Sequence, residues 1–181
     1  MKFIFFDISK EKITDYKNVL NPLKSKVDMN FICADLLNLI TKIKDNIIIV
    51  SPANSYGDMT GGIDRDICKI NDKIQYLVKK QIEKSKFIDL DNNKLIPVGH
   101  CDLVQINNKT SVMIAPTMKR PKDISNTENV FLAFKAMLLY LTNVQNLQNS
   151  VILCPCLGTG CGNMDSKKSA EQVLNAFKKM I

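Results

Sequence analysis

Residues 47–67 read I-I-I-V-S-P-A-N-S-Y-G-D-M-T-G-G-I-D-R-D-I and contain the transition on which the fold depends. The four β-branched residues 47–50 predict a strand that is buried on both faces of a sheet. Pro52 cannot continue a central strand, and the glycine-rich segment after it predicts a long loop that leads into a helix. In α/β proteins such a loop, with adjacent glycines before a helix, holds anionic groups.

A second glycine-rich segment follows the last apolar run. Residues 150–154 predict a strand, and C-P-C-L-G-T-G-C-G-N follows from residue 154 to residue 163. This segment lacks the G-K-S/T ending of a P-loop and the G-x-G-x-x-G spacing of dinucleotide-binding folds, so both functions are disfavoured. If the two strands are neighbours, residues 57–62 (the first loop) and 158–162 (the second loop) face each other across one crevice and bind a diphosphate from two sides.

Strands alternate with helices along the whole chain, with mostly short connections. The predicted strands span residues 2–8, 27–33, 47–50, 95–99, 102–106, 110–116 and 150–154. The predicted helices span residues 10–20, 36–43, 63–84 (one helix or two), 127–144 and 166–179. A hairpin turn is predicted at 107–108 and an exposed loop at 116–125. The pattern predicts one domain over 1–181, a three-layer α/β/α sandwich with a mixed, largely parallel central sheet.

The composition argues against membrane and nucleic-acid functions. Hydrophobic residues make up 45% and charged residues 24%, which is typical of a globular domain. No apolar run reaches the roughly 18 residues of a membrane helix, and Asp7 interrupts the apolar start, so we expect no signal peptide. The net charge of +7 comes from dispersed lysines without a basic stripe or interleaved aromatic residues, so nucleic-acid binding is disfavoured.

The cysteines and the single histidine indicate where in the cell the protein works and whether it binds a metal or another cofactor. Six cysteines occur without a C-x-x-C pair, and only His100 is available as an imidazole ligand, so we expect no metal, no other cofactor and no disulfide framework. A cytoplasmic, reducing location fits this pattern, and we expect a monomer. A catalytic role for His100 is not expected, because it stands at a strand junction without an attached nucleophile.

Together these motifs resemble the macro domains, a family that binds ADP-ribose. S-P-A-N-S at 51–55 resembles the family's N-P-A-N-S, and T-G-G-I-D at 60–64 resembles its G-G-G-V-D. C-L-G-T-G-C-G at 156–162 resembles its second loop, and C-A-D-L at 33–36 lies where the family often has G-D-I. With A-P-T-M at 115–118, the chain further resembles a divergent branch that is common in phages and large viruses.

The resemblance implies a role for each matching residue. Asp35 would accept a hydrogen bond from the adenine amino group, and Asn54 would contact the distal ribose. Asp64 matches the aspartate that helps to activate a water in hydrolytic macro domains, so Asn54 and Asp64 are the implied catalytic residues. The implied binding residues are Asp35, Leu36, Ala53, Asn54, Gly61, Gly62, Ile63, Gly158, Thr159, Gly160, Cys161 and Gly162.

Simpler structural interpretations stand beside these roles. Asn54 could brace its own turn, and Asp35 and Asp64 could cap the helices that follow them. Ser51 replaces the family's first Asn and Thr60 interrupts its glycine run, which affects catalysis more than binding by backbone amides. The resemblance predicts ADP-ribose binding and leaves open an ADP-ribosyl hydrolase or an ADP-ribose-phosphate phosphatase. The alternatives are a ligand-free structural or assembly protein and, less favoured, a nucleic-acid-binding module.

Overall fold

A six-stranded sheet with helices on both faces forms the protein in the computed structural model, which describes residues 1–180. The strands are β1 (Lys2–Asp7), β2 (Met29–Cys33), β3 (Ile47–Ser51), β4 (Asp102–Gln105), β5 (Thr110–Ile114) and β6 (Val151–Pro155). The helices are α1 (Lys10–Leu20), α2 (Leu36–Ile40), α3 (Gly62–Cys68), α4 (Ile74–Ile82), α5 (Asn129–Asn143) and α6 (Ser166–Lys178). Short 3-10 turns follow α1 and α5 at Asn21–Leu23 and Gln145–Leu147.

The strand order places the two glycine loops beside each other. The order across the sheet is β2-β1-β6-β3-β5-β4, and every neighbouring pair is parallel except β4 with β5. Ile152 of β6 pairs with Phe3 of β1 on one side and with Ile48 of β3 on the other. The strands that precede the first and second loops are therefore neighbours, as the sequence predicts.

Both faces of the sheet are buried by alternating side chains. On β3, Ile48 and Val50 belong to one core, with α1, α5 and α6, whereas Ile47 and Ile49 belong to the other, with α2, α3 and α4. Two cores on opposite faces of one sheet need apolar residues at consecutive strand positions, which explains the apolar run at 47–50. The predicted three-layer sandwich with a mixed, largely parallel sheet is confirmed.

Most predicted elements are present, and one predicted strand is wrong. Residues 95–99 form no strand; instead the Ile96 N–H donates to the Ser55 carbonyl at 3.0 Å, and Pro97, which follows, has no N–H for a ladder. Leu95 and Ile96 are buried there, and Ile96 packs in the core on the face of the sheet that α2, α3 and α4 cover. The predicted hairpin at 107–108 is correct, because Asn107 Oδ1 accepts from the N–H groups of Lys109 and Thr110 and so closes the turn.

A closed hydrogen-bond ring holds the chain at the entrance to the second loop. The Leu157 N–H donates to the Tyr16 hydroxyl at 2.9 Å, and the Ser169 hydroxyl donates to the Leu157 carbonyl at 2.6 Å. Because the single Ser169 proton is used in that bond, Tyr16 donates to Ser169 Oγ, 2.6 Å away. All three residues are fully buried, so α1 and α6 fix the position of the second loop from behind.

Replacing Tyr16 by Phe tests the ring. Tyr16→Phe leaves the buried Leu157 N–H without its acceptor, so we expect a loss of about 1–3 kcal/mol in the free energy of unfolding, measured by urea denaturation. Tyr140→Phe is the control, because Tyr140 is half-buried and its hydroxyl makes no hydrogen bond within the described residues. Equal stability of the two variants would contradict a structural role for the ring.

Candidate functional site

A crevice of about 660 Å³ lies at the carboxyl ends of β2, β1, β6 and β3. This volume is in the range of small-molecule sites, which is about 300–1,000 Å³. The crevice is lined by every predicted binding residue except Ala53, which is buried. The predicted residues that line it are Asp35, Leu36, Asn54, Gly61, Gly62, Ile63, Asp64, Gly158, Thr159, Gly160, Cys161 and Gly162.

Helix α4 holds the first loop through one glutamine. Gln75 Oε1 accepts from the Met59 N–H at 2.9 Å, and Gln75 Nε2 donates to the Gly57 carbonyl at 2.7 Å. Lys79, one turn further along α4, donates to the Tyr56 carbonyl at 2.9 Å. Side chains of α4 therefore bind backbone groups of residues 56, 57 and 59 at the start of the first loop, which leaves residues 60–62 for the crevice.

Asn54 braces the chain that leads into the first loop. Its Oδ1 accepts from the N–H groups of Tyr56 at 3.0 Å and Asp58 at 3.4 Å, and its Nδ2 donates to the Asp58 carbonyl at 3.2 Å. The structural interpretation of Asn54 is therefore correct. The residue also lines the crevice, and one amide proton is left for a ligand, so its contact with a ribose stays a prediction.

The glycines of the two loops differ in what requires them. At Gly158 and Gly162 a Cβ atom would lie closer than 3.0 Å to neighbouring atoms, so packing requires glycine. Gly62 has a φ of 55°, which favours glycine. At Gly61 and Gly160 a Cβ would meet nothing within 4 Å and φ is not positive. Neither packing nor backbone geometry requires glycine at these two positions, and both face the crevice, one from each loop.

Asp64 lies in the first turn of α3 and is bound to the end of β3. The Ser51 hydroxyl donates to Asp64 Oδ1 at 2.6 Å, and only 8% of Asp64 is exposed. Burial raises the pKa of Asp64 to about 6, and the hydrogen bond from Ser51 offsets part of that rise. No side chain caps α3, whose N-cap is Gly61, so the carboxylate does not serve as a hydrogen-bonding cap.

Asp35 is the N-cap of α2. Its Oδ1 accepts from the Asn38 N–H at 2.9 Å, and its Oδ2 forms a short hydrogen bond with the Asn38 side chain. The backbone N–H of Asn38 lowers the pKa of Asp35, because it stabilises the charged form. A cap at Asp35 is thus present, and Asn38 engages both oxygens rather than one. Contact with adenine stays a prediction for this residue.

Five charged residues that line the crevice are not among the predicted site residues: Asp7 at the end of β1, Lys12 on α1, Asp58 in the first loop, and Arg65 and Asp66 on α3. A carboxylate at a strand exit followed by a helix is the same signal that points to Asp35, and it was available at Asp7. His100 lies outside the crevice, with its ring 4.3 Å from that of Phe87, and its role stays a prediction. Cys161 is exposed in the second loop, and all six cysteines are free.

Residues 1–180 contain neither a membrane-spanning helix nor a group of metal ligands. Each helix in these residues is too short or too polar to span a bilayer. In the same residues, no three His, Cys, Asp or Glu side chains are grouped to hold a metal ion.

The fold and the crevice define an α/β/α domain with a cavity of small-molecule size, and the family follows from a family model. The model of the macro domain matches residues 50–173, which is more than half of the chain. The protein therefore belongs to the macro domain family. A relative from Aquifex aeolicus, an uncharacterised protein, is 29% identical over 142 residues, which cover 77% of each chain.

Solved structures share the fold at low sequence identity. The macrodomain of Mycobacterium tuberculosis DarG superimposes with a TM-score of 0.57 at 19% identity and covers 75% of this chain and 84% of its own. A macrodomain variant of Oceanobacillus iheyensis, determined with ADP-ribose, superimposes with a TM-score of 0.58 at 17% identity. The match covers 77% of this chain and 73% of that chain. Thermosipho africanus DarTG in complex with ADP-ribose superimposes with a TM-score of 0.56 at 12% identity. The match covers 96% of this chain and 50% of that chain.

The raised pKa of Asp64 predicts a pH-dependent stability. Its folded pKa of about 6 exceeds the ordinary value of 3.8, so its contribution is fully present below pH 3.8 and is lost as the pH rises through about 6. Asp64→Asn removes this loss of stability, because asparagine does not ionise. We expect the free energy of unfolding of the variant, relative to the unmodified protein, to rise by roughly 2–3 kcal/mol between about pH 4 and pH 7 in urea titrations.

The matched control is Asp66→Asn, which changes a more exposed carboxylate on the same helix. A flat difference between Asp64→Asn and the unmodified protein across this pH range would mean that folding does not raise the pKa of Asp64.

Proposed function

We propose that the crevice binds ADP-ribose, or the ADP-ribosyl group of a larger substrate, with its diphosphate between the two loops. The observation that carries this proposal is a pair of facing sets of unpaired backbone amides. The N–H groups of Gly61, Gly62 and Ile63 on one side, and of Gly160 and Cys161 on the other, have no acceptor within the described residues. Backbone N–H groups at the surface of a crevice require water or an anionic ligand as a partner.

Gly61 and Gly160, where neither packing nor backbone geometry requires glycine, support the same proposal. Without side chains, Gly61 and Gly160 allow a phosphate to approach the amides directly. Membership in the macro domain family and the complexes of two structural neighbours with ADP-ribose point in the same direction. The phage and large-virus branch, the monomeric state and the cytoplasmic location stay predictions.

ADP-ribose should therefore stabilise the protein. At 100 times the dissociation constant, a ligand that binds only the folded state adds about 2.7 kcal/mol to the free energy of unfolding, which is visible as a higher Tm. Gly160→Val should keep the stability, because space is open there, and reduce the affinity at least about tenfold in calorimetry, because the side chain would displace the phosphate.

Short DNA or RNA at moderate salt serves as the control ligand and should leave the Tm unchanged. The absence of a shift with ADP-ribose at millimolar concentration would favour the ligand-free structural protein. A shift with nucleic acid alone would favour the nucleic-acid module. An unchanged affinity of Gly160→Val would mean that the second loop does not approach the ligand.

We further propose that the crevice hydrolyses an ADP-ribosyl linkage or an ADP-ribose phosphate, with Asp64 as general base. In this reaction Asp64 takes a proton from water, and the water oxygen forms a bond to the anomeric carbon of the ADP-ribosyl linkage or to the phosphorus of the ADP-ribose phosphate. The bond from that atom to the attached group breaks, and the leaving group takes up the proton that Asp64 returns. A carboxylate with a pKa of about 6 that lines the crevice is a suitable proton acceptor near neutral pH. Ser51, fully buried and outside the lining, has a positioning role toward that carboxylate.

Asp64→Asn should bind ADP-ribose by calorimetry and lose turnover by about 10²- to 10⁴-fold. Because a general base works when deprotonated, turnover of the unmodified protein should rise with pH through about 6. Ser51→Ala should move this rise to higher pH, since the hydrogen bond from Ser51 lowers the pKa. If the unmodified protein turns over no ester-linked, phosphorylated or nucleic-acid-linked ADP-ribose, it binds without catalysis.

A further inference from the structure

The end of β1 lies between the two parts of the crevice that the resemblance assigns to a ligand. β1 is hydrogen-bonded to β2, whose exit carries Asp35, and to β6, whose exit carries the second loop. Neighbouring strands are about 4.8 Å apart, so β2 and β6 are separated by roughly 10 Å. A ligand with adenine at Asp35 and its diphosphate at the second loop therefore places the joining ribose over the end of β1.

Asp7 presents a fixed acceptor at this position. Its Oδ1 accepts from the Ser9 N–H at 2.9 Å, which holds the carboxylate at the start of α1. Its Oδ2 accepts no hydrogen bond within the described residues; the nearest cationic group, Lys12 Nζ, is 3.7 Å away. The Asp7 side chain is only 15% exposed and lines the crevice. Its Oδ2 is therefore an acceptor in a fixed position without a hydrogen-bond donor.

Two neighbours complete the surroundings of Asp7. Lys12 Nζ donates to the Thr159 carbonyl at 3.3 Å, so the ammonium is shared between the carboxylate and the second loop. Ile8, next to Asp7, also lines the crevice and is 79% exposed, which is unusual for a large apolar side chain. A ribose or base lying over Ile8 would cover this apolar surface.

Resting on the proposed function, we infer that Asp7 accepts a hydrogen bond from a hydroxyl of the adenosine ribose and selects ligands without a phosphate there. Sugar hydroxyls are donors, and a carboxylate after a strand binds the ribose 2′-hydroxyl in dinucleotide-binding folds by the same chemistry. A 2′-phosphate would bring a second anion beside Asp7. Lys12 is already paired with Asp7, so it cannot neutralise both. The ligand class is ADP-ribosyl groups whose adenosine ribose is unmodified.

Calorimetry with two ligands tests this inference. We expect the unmodified protein to bind ADP-ribose at least about tenfold more tightly than 2′-phospho-ADP-ribose. Asp7→Asn should bind ADP-ribose about tenfold less tightly, because a neutral amide oxygen is a weaker acceptor, and should narrow the preference between the ligands. The fold should be retained, since the asparagine oxygen can still accept from the Ser9 N–H.

Asp28→Asn is the matched control, because it removes the same charge from an exposed position outside the crevice. Equal affinity of the unmodified protein for the two ligands would overturn the inference. So would an identical effect of Asp7→Asn and Asp28→Asn on ADP-ribose affinity. If the unmodified protein binds neither ligand, the proposed function itself fails, whereas equal affinity for both ligands overturns the inference about Asp7 and leaves the proposed function standing.

Discussion

The site depends on one constraint, the parallel alignment of five neighbouring strands. Parallel strands end at the same edge of a sheet, so the segments after β2, β1, β6 and β3 converge there although they are far apart in the chain. The helices that return the chain between parallel strands cover both faces of the sheet, which requires the apolar strands seen in both cores. The same geometry builds the hydrophobic cores and the crevice.

Side chains behind the crevice hold the two loops and leave their amides free. Gln75 and Lys79 bind carbonyl and N–H groups of the chain around the first loop, and the Tyr16–Ser169–Leu157 ring holds the entrance to the second. A preorganised set of donors loses little conformational entropy when a ligand binds. The polar groups on the inner side of each loop are satisfied within the protein, and those on the crevice side are available to an anion.

Three predicted residues have structural partners as well as a place in the crevice. Asn54 braces its turn, Asp35 caps α2, and Asp64 binds the Ser51 hydroxyl. These contacts hold polar side chains in one conformation, which a binding or catalytic role also needs. For Asp64 the structural partner also sets the chemistry, because burial raises its pKa while Ser51 partly offsets the rise. The departure at Ser51 from the family motif therefore has a direct physical consequence.

Sequence alone determined the fold class and the two glycine loops, because apolar periodicity and turn residues act over a few neighbouring positions. The family resemblance added part of the crevice lining, including Asp35, Asn54 and Asp64. Only the tertiary structure decided that residues 95–99 lie along a loop, that Ser51 is the partner of Asp64, and that Asp7 and Lys12 enter the crevice. Each of these depends on which distant segments become neighbours. That choice is made by packing across the whole sheet, so no local pattern records the position of β1 between β2 and β6.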